Sequence, residues 1–552
     1  QAERIESIQV GGGDQPGKKS IIRTEGPGSG KFLPSAAREA ADRGEETAST
    51  FRQTIVTYTT SMDYDETRGY AFFVGDVITT SQDYVLKSDR LEVELEEERY
   101  WDAESGTESV RQQPRLITAQ DNASLFWHRR NCVADRIVRD EQKQIMVFYG
   151  TEDALAVVYE EGGSTIRSPR IIASADGKRA HASGVGEVIL PDASGDDRAV
   201  VTFEGEARYE TLSAEGEGRS RIRFERNVRM RRSDGMVIQG DEMIVDLEEV
   251  RDPARIVHRM LSPTPGDEAR PRRLRRVVMN GDVIVRQGTM VGYGSRGELN
   301  VRQSGEVTVL EGTDRGRAEV VDATGFRLKA PVITHWNDRQ LLAATGPGVI
   351  HMRSLEPVRG RVGGFDEAEE VDYTLEYDGN LNYNALARKI MANRNVRLSR
   401  EFLRCTCDEM TVILEEPLEE GFVVDGPSLT LRAVEARGNV RYTSFEPLRE
   451  ESYLDPFNDR REWANRPGTI IKTKSEEAYY DVPAEFITLT GDNPEPKLLQ
   501  QVLTDDPDAR PRRTQFDQDV IGIFVGVPSA VNAENPRIRT LPSTGPLMFD
   551  DE

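Results

Sequence analysis

The chain has 552 residues, 37% of them apolar, 7% aromatic and 30% charged, with a formal net charge of -24. Such an acidic balance argues against nucleic acid as the main partner and against broad docking on an anionic bilayer surface. The small apolar share suits long sheets with much exposed surface better than one thick globular core. The longest apolar run, Val520 to Val527, is broken by glycine and falls well short of the roughly 18–20 residues of a membrane-spanning helix.

Residues 1–50 hold Gly11-Gly12-Gly13 and Gly26-Pro27-Gly28-Ser29-Gly30 with no sustained period, and they read as a flexible linker. Within it, a short helix is expected from Ser35 to about Glu46. A first β segment follows over residues 51–195. Its central stretch reads as a strand through Phe72 to Thr80, a polar turn, and a second strand through Leu86 to Leu95. In that second strand Leu91, Val93 and Leu95 alternate with Arg90, Glu92 and Glu94, the two-residue period of a sheet with one apolar and one wet face. A charged loop is expected from Glu96 to Pro114, then further short strands broken by glycine and polar residues.

A second segment covers residues 196–365 and contains a proline-rich basic loop over 251–276, with Arg255, Arg259, Arg270, Arg272, Arg273, Arg275 and Arg276. It is the conspicuous positive patch of an acidic chain. Two readings stand: a solvated excursion between strands, or a phosphate contact through Arg270, Arg272, Arg273, Arg275 and Arg276. A third segment spans residues 366–500, and residues 501–552 supply a last apolar strand near Ile521 and an acidic tail.

The central stretch returns. Asn227-Val228 precedes Asp241-Glu242-Met243-Ile244-Val245-Asp246-Leu247, and Asn395-Val396 precedes Asp408-Glu409-Met410-Thr411-Val412-Ile413-Leu414. Gly281-Asp282-Val283-Ile284-Val285 and Gly438-Asn439-Val440 are partial copies of the opening half. Three copies in step mark a repeat array, and short strands without convincing helices mark it as all-β.

Chemistry is sparse. The five histidines, His128, His181, His258, His335 and His351, never take a metal-ligand spacing. Gly26 to Lys31 imitates a phosphate loop, but Glu25 stands where the first glycine belongs and Phe32 where the hydroxyl residue belongs. Gly292-Tyr293-Gly294-Ser295-Arg296-Gly297 has dinucleotide-site spacing, but a strand-like segment follows it instead of a helix, so it reads as a turn at the hinge of a repeat. Cys132, Cys405 and Cys407 make an odd count, with the last two on one strand face, read as buried and inert. The recurring Asp89, Asp241 and Asp408 read as turn formers ahead of a strand in preference to calcium ligands. No acid, base or nucleophile is paired with a partner, so neither an enzyme nor a bound cofactor or metal is expected.

Gly75-Asp76-Val77 with Leu86 to Leu95, and Ser475 to Asp481 leading into Leu489-Thr490-Gly491, resemble the OstA-like family of periplasmic lipopolysaccharide-transport proteins. The resemblance covers scattered parts of residues 51–500. Arg226 and Arg394 stand where the family pattern has glycine, and the array is longer than one family domain. The resemblance implies tandem repeats forming an elongated open β-jellyroll, a folded-over antiparallel sheet with an apolar interior. It further implies a periplasmic location, with an anchor upstream of Gln1 left open, and a bridge that carries lipopolysaccharide or a related glycolipid from inner to outer membrane. Partner jellyrolls would join it end to end by strand addition. The residues expected to line the lipid groove are Val77, Leu91, Val93, Leu95, Met243, Val245, Leu247, Val283, Val285, Met410, Val412 and Leu414. Two alternatives stay open: that these residues form a closed sandwich core, and that the chain is a lipid-free β-repeat scaffold.

Overall fold

A computed structural model describes most of residues 4–541. Outside the description lie 1–3, 11–18, 33–53, 103–106, 192–197, 213–218, 250–271, 358–367, 416–430, 448–467, 504–511, 525–537 and 542–552, with shorter gaps elsewhere. The described residues are all-β, without a helix. The chain divides into two compact units, Gln1–Asn280 and Gly281–Glu552, a division that falls inside the second segment expected from the sequence.

Each unit is built on long strands that change partners halfway. In the first unit the strand Tyr70–Thr80 pairs through Tyr70 to Val74 with Ser61–Asp65, and through Ile78 to Thr80 with Thr54–Tyr58. Its other edge pairs with Tyr84–Asp102 along its length, with a register shift between Val74 and Val77. Arg219–Arg231 repeats the scheme against Glu206–Leu212, Arg198–Phe203 and Val237–Glu249, with its shift between Glu225 and Val228. In the second unit Lys389–Arg400 does the same against Asn380–Asn384, Ala368–Tyr377 and Leu403–Leu414, shifting between Asn393 and Val396.

The shift is the same device each time: two consecutive residues in the left-handed region. They are Gly75-Asp76, Arg226-Asn227 and Arg394-Asn395, and the partial copies add Gly281-Asp282 and Gly438-Asn439. Two left-handed residues bulge the strand and sharpen its bend. Glycine reaches this region without a Cβ penalty, and asparagine and aspartate tolerate it. The glycine-aspartate/asparagine-valine signature of the sequence is therefore a corner, and the valine after it, Val77, Val228 or Val396, resumes the buried face.

Contacts across the corner show that the sheet folds over. Backbone pairing places Arg139 beside Ile117 and Ile117 beside Val93. Val93 is nine residues along its strand from Tyr84, about 30 Å if the strand ran straight. Yet the Arg139 guanidinium lies 4.2 Å from the Tyr84 ring centroid. In the second unit Val434 and Tyr442, on opposite sides of the Gly438-Asn439 corner, line one small cavity.

Facing the long strands, the inward positions change phase at a small residue followed by an acid: Ser88-Asp89, Gly240-Asp241, Cys407-Asp408 and Ser475-Glu476. Leu86 and Ser88 are buried on one side of Asp89, and Leu91 and Val93 on the other. Ser88 Oγ donates to Arg90 O at 2.8 Å, Ser475 Oγ to Glu477 O at 2.8 Å, and Cys407 Sγ to Glu409 O at 3.1 Å. A buried side-chain donor thus satisfies the backbone where the ladder is interrupted. Asp89, Asp241 and Asp408 sit inside long strands opposite the corners, not in turns before strands.

Residues 1–50 contribute the strands Arg4–Val10, Lys19–Glu25 and Gly28–Phe32 instead of a linker, because glycine here serves packing. Gly26 turns the chain at φ 83, and Gly28 lies beneath the Tyr58 ring, where a Cβ would collide. Gly186 under Phe203 and Gly348 under Tyr377 repeat the arrangement. The expected helix at Ser35–Glu46 falls outside the described residues. The expected charged loop from Glu96 to Pro114 belongs largely to the strands Tyr84–Asp102 and Thr107–Trp127, whose backbone ladder continues from Leu95 opposite Pro114 to Asp102 opposite Thr107.

Gly292 to Gly297 lies within the strand Met290–Arg302, not in a turn, and a Cβ on Gly292 would meet the Leu310 side chain. Beyond Lys497 the chain adds Lys497–Leu503, Arg512–Asp517, Val520–Phe524 and Ile538–Leu541, where one strand was expected.

Candidate functional site

The inward faces of the long strands form the candidate site. In the first unit Leu91 pairs with Phe73 and Ala119, and Val93 with Ala71 and Ile117. Met243 lies opposite Phe224 and Val245 opposite Ile222. In the second unit Met410 lies opposite Ala392 and Ala436, and Val412 opposite Ile390 and Val434. Val77, Leu247, Val283, Val285 and Leu414 are likewise buried. Leu95 is the exception. It is half-buried at a register shift between Glu94 and Leu95, beside Pro114, so the apolar row of that strand ends at Val93.

The interior is closely packed: Leu91, Val245 and Val412 are 0% exposed. In the second unit Leu398, Leu403, Cys405, Val434, Tyr442 and Tyr480 surround a cavity of about 20 Å³, room for about one water and too little for an acyl chain. The inner face also carries buried hydroxyls. Thr79 Oγ1, Ser220 Oγ, Thr473 Oγ1 and the Tyr377 hydroxyl meet no hydrogen-bond partner among the described residues. Burial raises the Tyr377 hydroxyl above its ordinary range. An unpaired buried polar group costs about 1–3 kcal/mol, so the two such hydroxyls in each unit, Thr79 and Ser220 in the first and Tyr377 and Thr473 in the second, mark inner faces not optimised as a dry core.

All three cysteines are free and buried. Burial pushes the Cys132 and Cys407 thiols up to about 12 and Cys405 up as well, which removes the thiolate needed for nucleophilic or redox chemistry near neutral pH.

The arginines divide. Arg272, Arg273, Arg275 and Arg276 begin the strand Arg272–Gln287 instead of lying in a loop. Arg270 lies outside the described residues. Arg273 Nε donates to Glu248 Oε1 at 2.7 Å, and Arg275 lies 3.9 Å from the same carboxylate. Arg272 turns inward and is 14% exposed, with Nη1 donating to the Tyr209 hydroxyl at 2.7 Å and to Glu160 Oε2 at 3.1 Å.

Arg130 and Arg139, which are not among the residues expected of the site, also point inward. Arg130 is paired with buried Trp127 across the ladder, lies 5.0 Å from that ring centroid and donates to Glu160 Oε1 at 3.1 Å. Arg139 stacks on buried Tyr84 and pairs with Glu141. Their signal was parity: each falls on the apolar phase of its strand, two residues from Cys132 and Ile137 respectively.

No protein-family model matches this sequence, and no curated protein matches it.

Proposed function

We propose that the chain is a lipid-binding bridge, holding acyl chains of lipopolysaccharide or a related glycolipid between the folded-over halves of its sheets and passing them between inner and outer membrane. The observation that carries this reading is the inner face itself. Along the long strands most inward positions are apolar on both sides of a repeated corner, and the buried hydroxyls among them leave these faces short of a finished core. Each methylene seated there contributes roughly 0.8 kcal/mol, so an acyl chain binds without a specific polar contact. Seating one requires the halves to part, and the paired left-handed residues at the corner are where the strands bend.

The close packing of Leu91, Val245 and Val412 favours a second reading, a lipid-free β-repeat scaffold. Native mass spectrometry with lipid extraction separates the two. The protein would be purified from a lipopolysaccharide-making host beside a variant carrying Val93→Thr, Val245→Thr and Val412→Thr, which keeps side-chain shape while adding polarity. Co-purifying glycolipid in the parent, reduced in the folded variant, supports the bridge. A lipid-free parent that also ignores added glycolipid establishes the scaffold.

A further inference from the structure

The apolar interior of the first unit is bordered by charge on the side away from the corners. Arg139, near the end of Arg130–Asp140, meets Tyr84 at the start of Tyr84–Asp102. Arg272, at the start of its strand, meets Tyr209 and Glu160, and Glu160 ends Ala156–Glu160. Arg130 begins its strand and shares Glu160. These strand ends come together because the sheet folds over, so the guanidiniums stand at the mouth of the fold. Each lies against an aromatic ring: Trp127 for Arg130, Tyr84 for Arg139 and Tyr209 for Arg272.

An inward arginine at an apolar mouth is costly to desolvate unless an anion faces it. Here Glu160 serves two guanidiniums and Glu141 serves the third, while Glu249 acts on Arg272 from close by. A planar guanidinium carries a fork of N–H groups, the geometry that recognises phosphate or carboxylate in bidentate fashion, and here a ring centroid 4.2–5.7 Å away limits how each one can turn. An amphiphile with its tails inside would bring its anionic group to this rim.

We propose that Arg130, Arg139 and Arg272 form an anion-recognition rim, at which the phosphate or carboxylate group of a seated amphiphile displaces Glu141 and Glu160. The proposal rests on the lipid-binding reading and adds the chemical class of the ligand's head. Within it, the two glutamates hold the mouth closed when no ligand is present and compete with the ligand for the same N–H groups.

The test compares dodecyl phosphate with neutral 1-O-dodecylglycerol, both below their micelle thresholds, by titration calorimetry on the full chain. Dodecyl phosphate is expected to bind about tenfold tighter or more, the worth of one charge-assisted hydrogen bond. That preference should shrink at high salt and vanish in a variant carrying Arg139→Gln and Arg272→Gln. Glu160→Gln, which removes a competitor, should strengthen dodecyl phosphate and leave the neutral probe unchanged. Should the double variant misfold, the parent and Glu160→Gln comparisons still decide. Equal affinity for the two probes, with no gain in Glu160→Gln, overturns the rim and leaves the apolar interior standing. Binding of neither probe overturns both.

Discussion

The Asn122 side-chain amide donates to the Asp89 carboxylate at 2.8 Å, and Asn439 donates to Asp408 at the same distance. In each case a left-handed residue at a corner, Asn122 of the Asp121-Asn122 pair or Asn439 of Gly438-Asn439, grips the acid on the neighbouring long strand. The acid faces the corner of one strand on one side and the corner of the next on the other, so the corners line up across the sheet. Asn395 makes a related bond to Asp378 at 3.0 Å. These bonds are exposed, and a double-mutant cycle on Asp408→Ala and Asn439→Ala is expected to give a coupling of about 0.5–1.5 kcal/mol. Urea unfolding of the four proteins measures it, and additive effects of the two single changes would show that the pair does not align the corner.

The corner has room for one Cβ. Gly75 faces Thr60, whose side chain fills the space that a Cβ on Gly75 would need. In the two other full copies the glycine is on the opposite side: Arg226 faces Gly205, and Arg394 faces Gly379. Gly75→Arg alone should therefore cost about 2–3 kcal/mol, from strain and overlap together. Adding Thr60→Gly should restore most of that loss, because the pair then matches the other copies. Thermal unfolding of the single and double variants checks the exchange; a double variant no better than Gly75→Arg would mean that the corners are not equivalent.

The same exchange shows what could be read from the residues alone. Strict alternation over Leu91 and Val93, Met243 to Leu247 and Met410 to Leu414 revealed buried strand faces, because burial on one side of a sheet forces a period of two. The repeat was legible because the corner needs left-handed residues, which few side chains supply. The partner of each corner was not legible. That Thr60 and Gly205 occupy one place depends on pairing between strands, and their neighbours in sequence differ. Leu95 misled because alternation continues through a register shift that only the opposite strand reveals. Arg130, Arg139 and Arg272 escaped notice as inward residues because their charge signals solvent, and only the fold-over brings rings and carboxylates to meet them.

Cys407 stands where two other long strands carry serine. Its thiol makes the same bond, two residues ahead, that Ser88 and Ser475 make. Cys407→Ser is thus expected to cost less than about 1 kcal/mol, whereas Cys405→Ser places a hydroxyl in an apolar cavity and should cost about 1–3 kcal/mol. Because burial raises all three thiols, a thiol-disulfide reagent at pH 8 should titrate none in the native protein and all three in guanidinium. Rapid native labelling of Cys405 or Cys407 would contradict the packed interior.

Several tight turns close on a carboxylate that backbone or hydroxyl groups hold in its charged form. The Thr67 hydroxyl, followed by the Arg68 and Thr67 N–H groups, lowers Asp65. The Lys143 N–H lowers Asp140. The Ser174 hydroxyl and then the Lys178 N–H lower Asp176. A carboxylate lowered in the folded state adds stability that is fully present above its unfolded value, about 3.9 for aspartate, and that is lost as pH falls through the folded value. The midpoint of urea unfolding should therefore hold steady from pH 7 to about 5 with respect to these groups and fall below about 4. The combined variant Asp65→Asn, Asp140→Asn and Asp176→Asn keeps the side-chain acceptors but removes the titrating charge. It should be less stable than the parent at pH 7, and the gap should narrow at about pH 2.5 as the parent's carboxylates take up protons. A parent and variant separated by the same amount at both pH values would show that these turns depend on shape and not on charge.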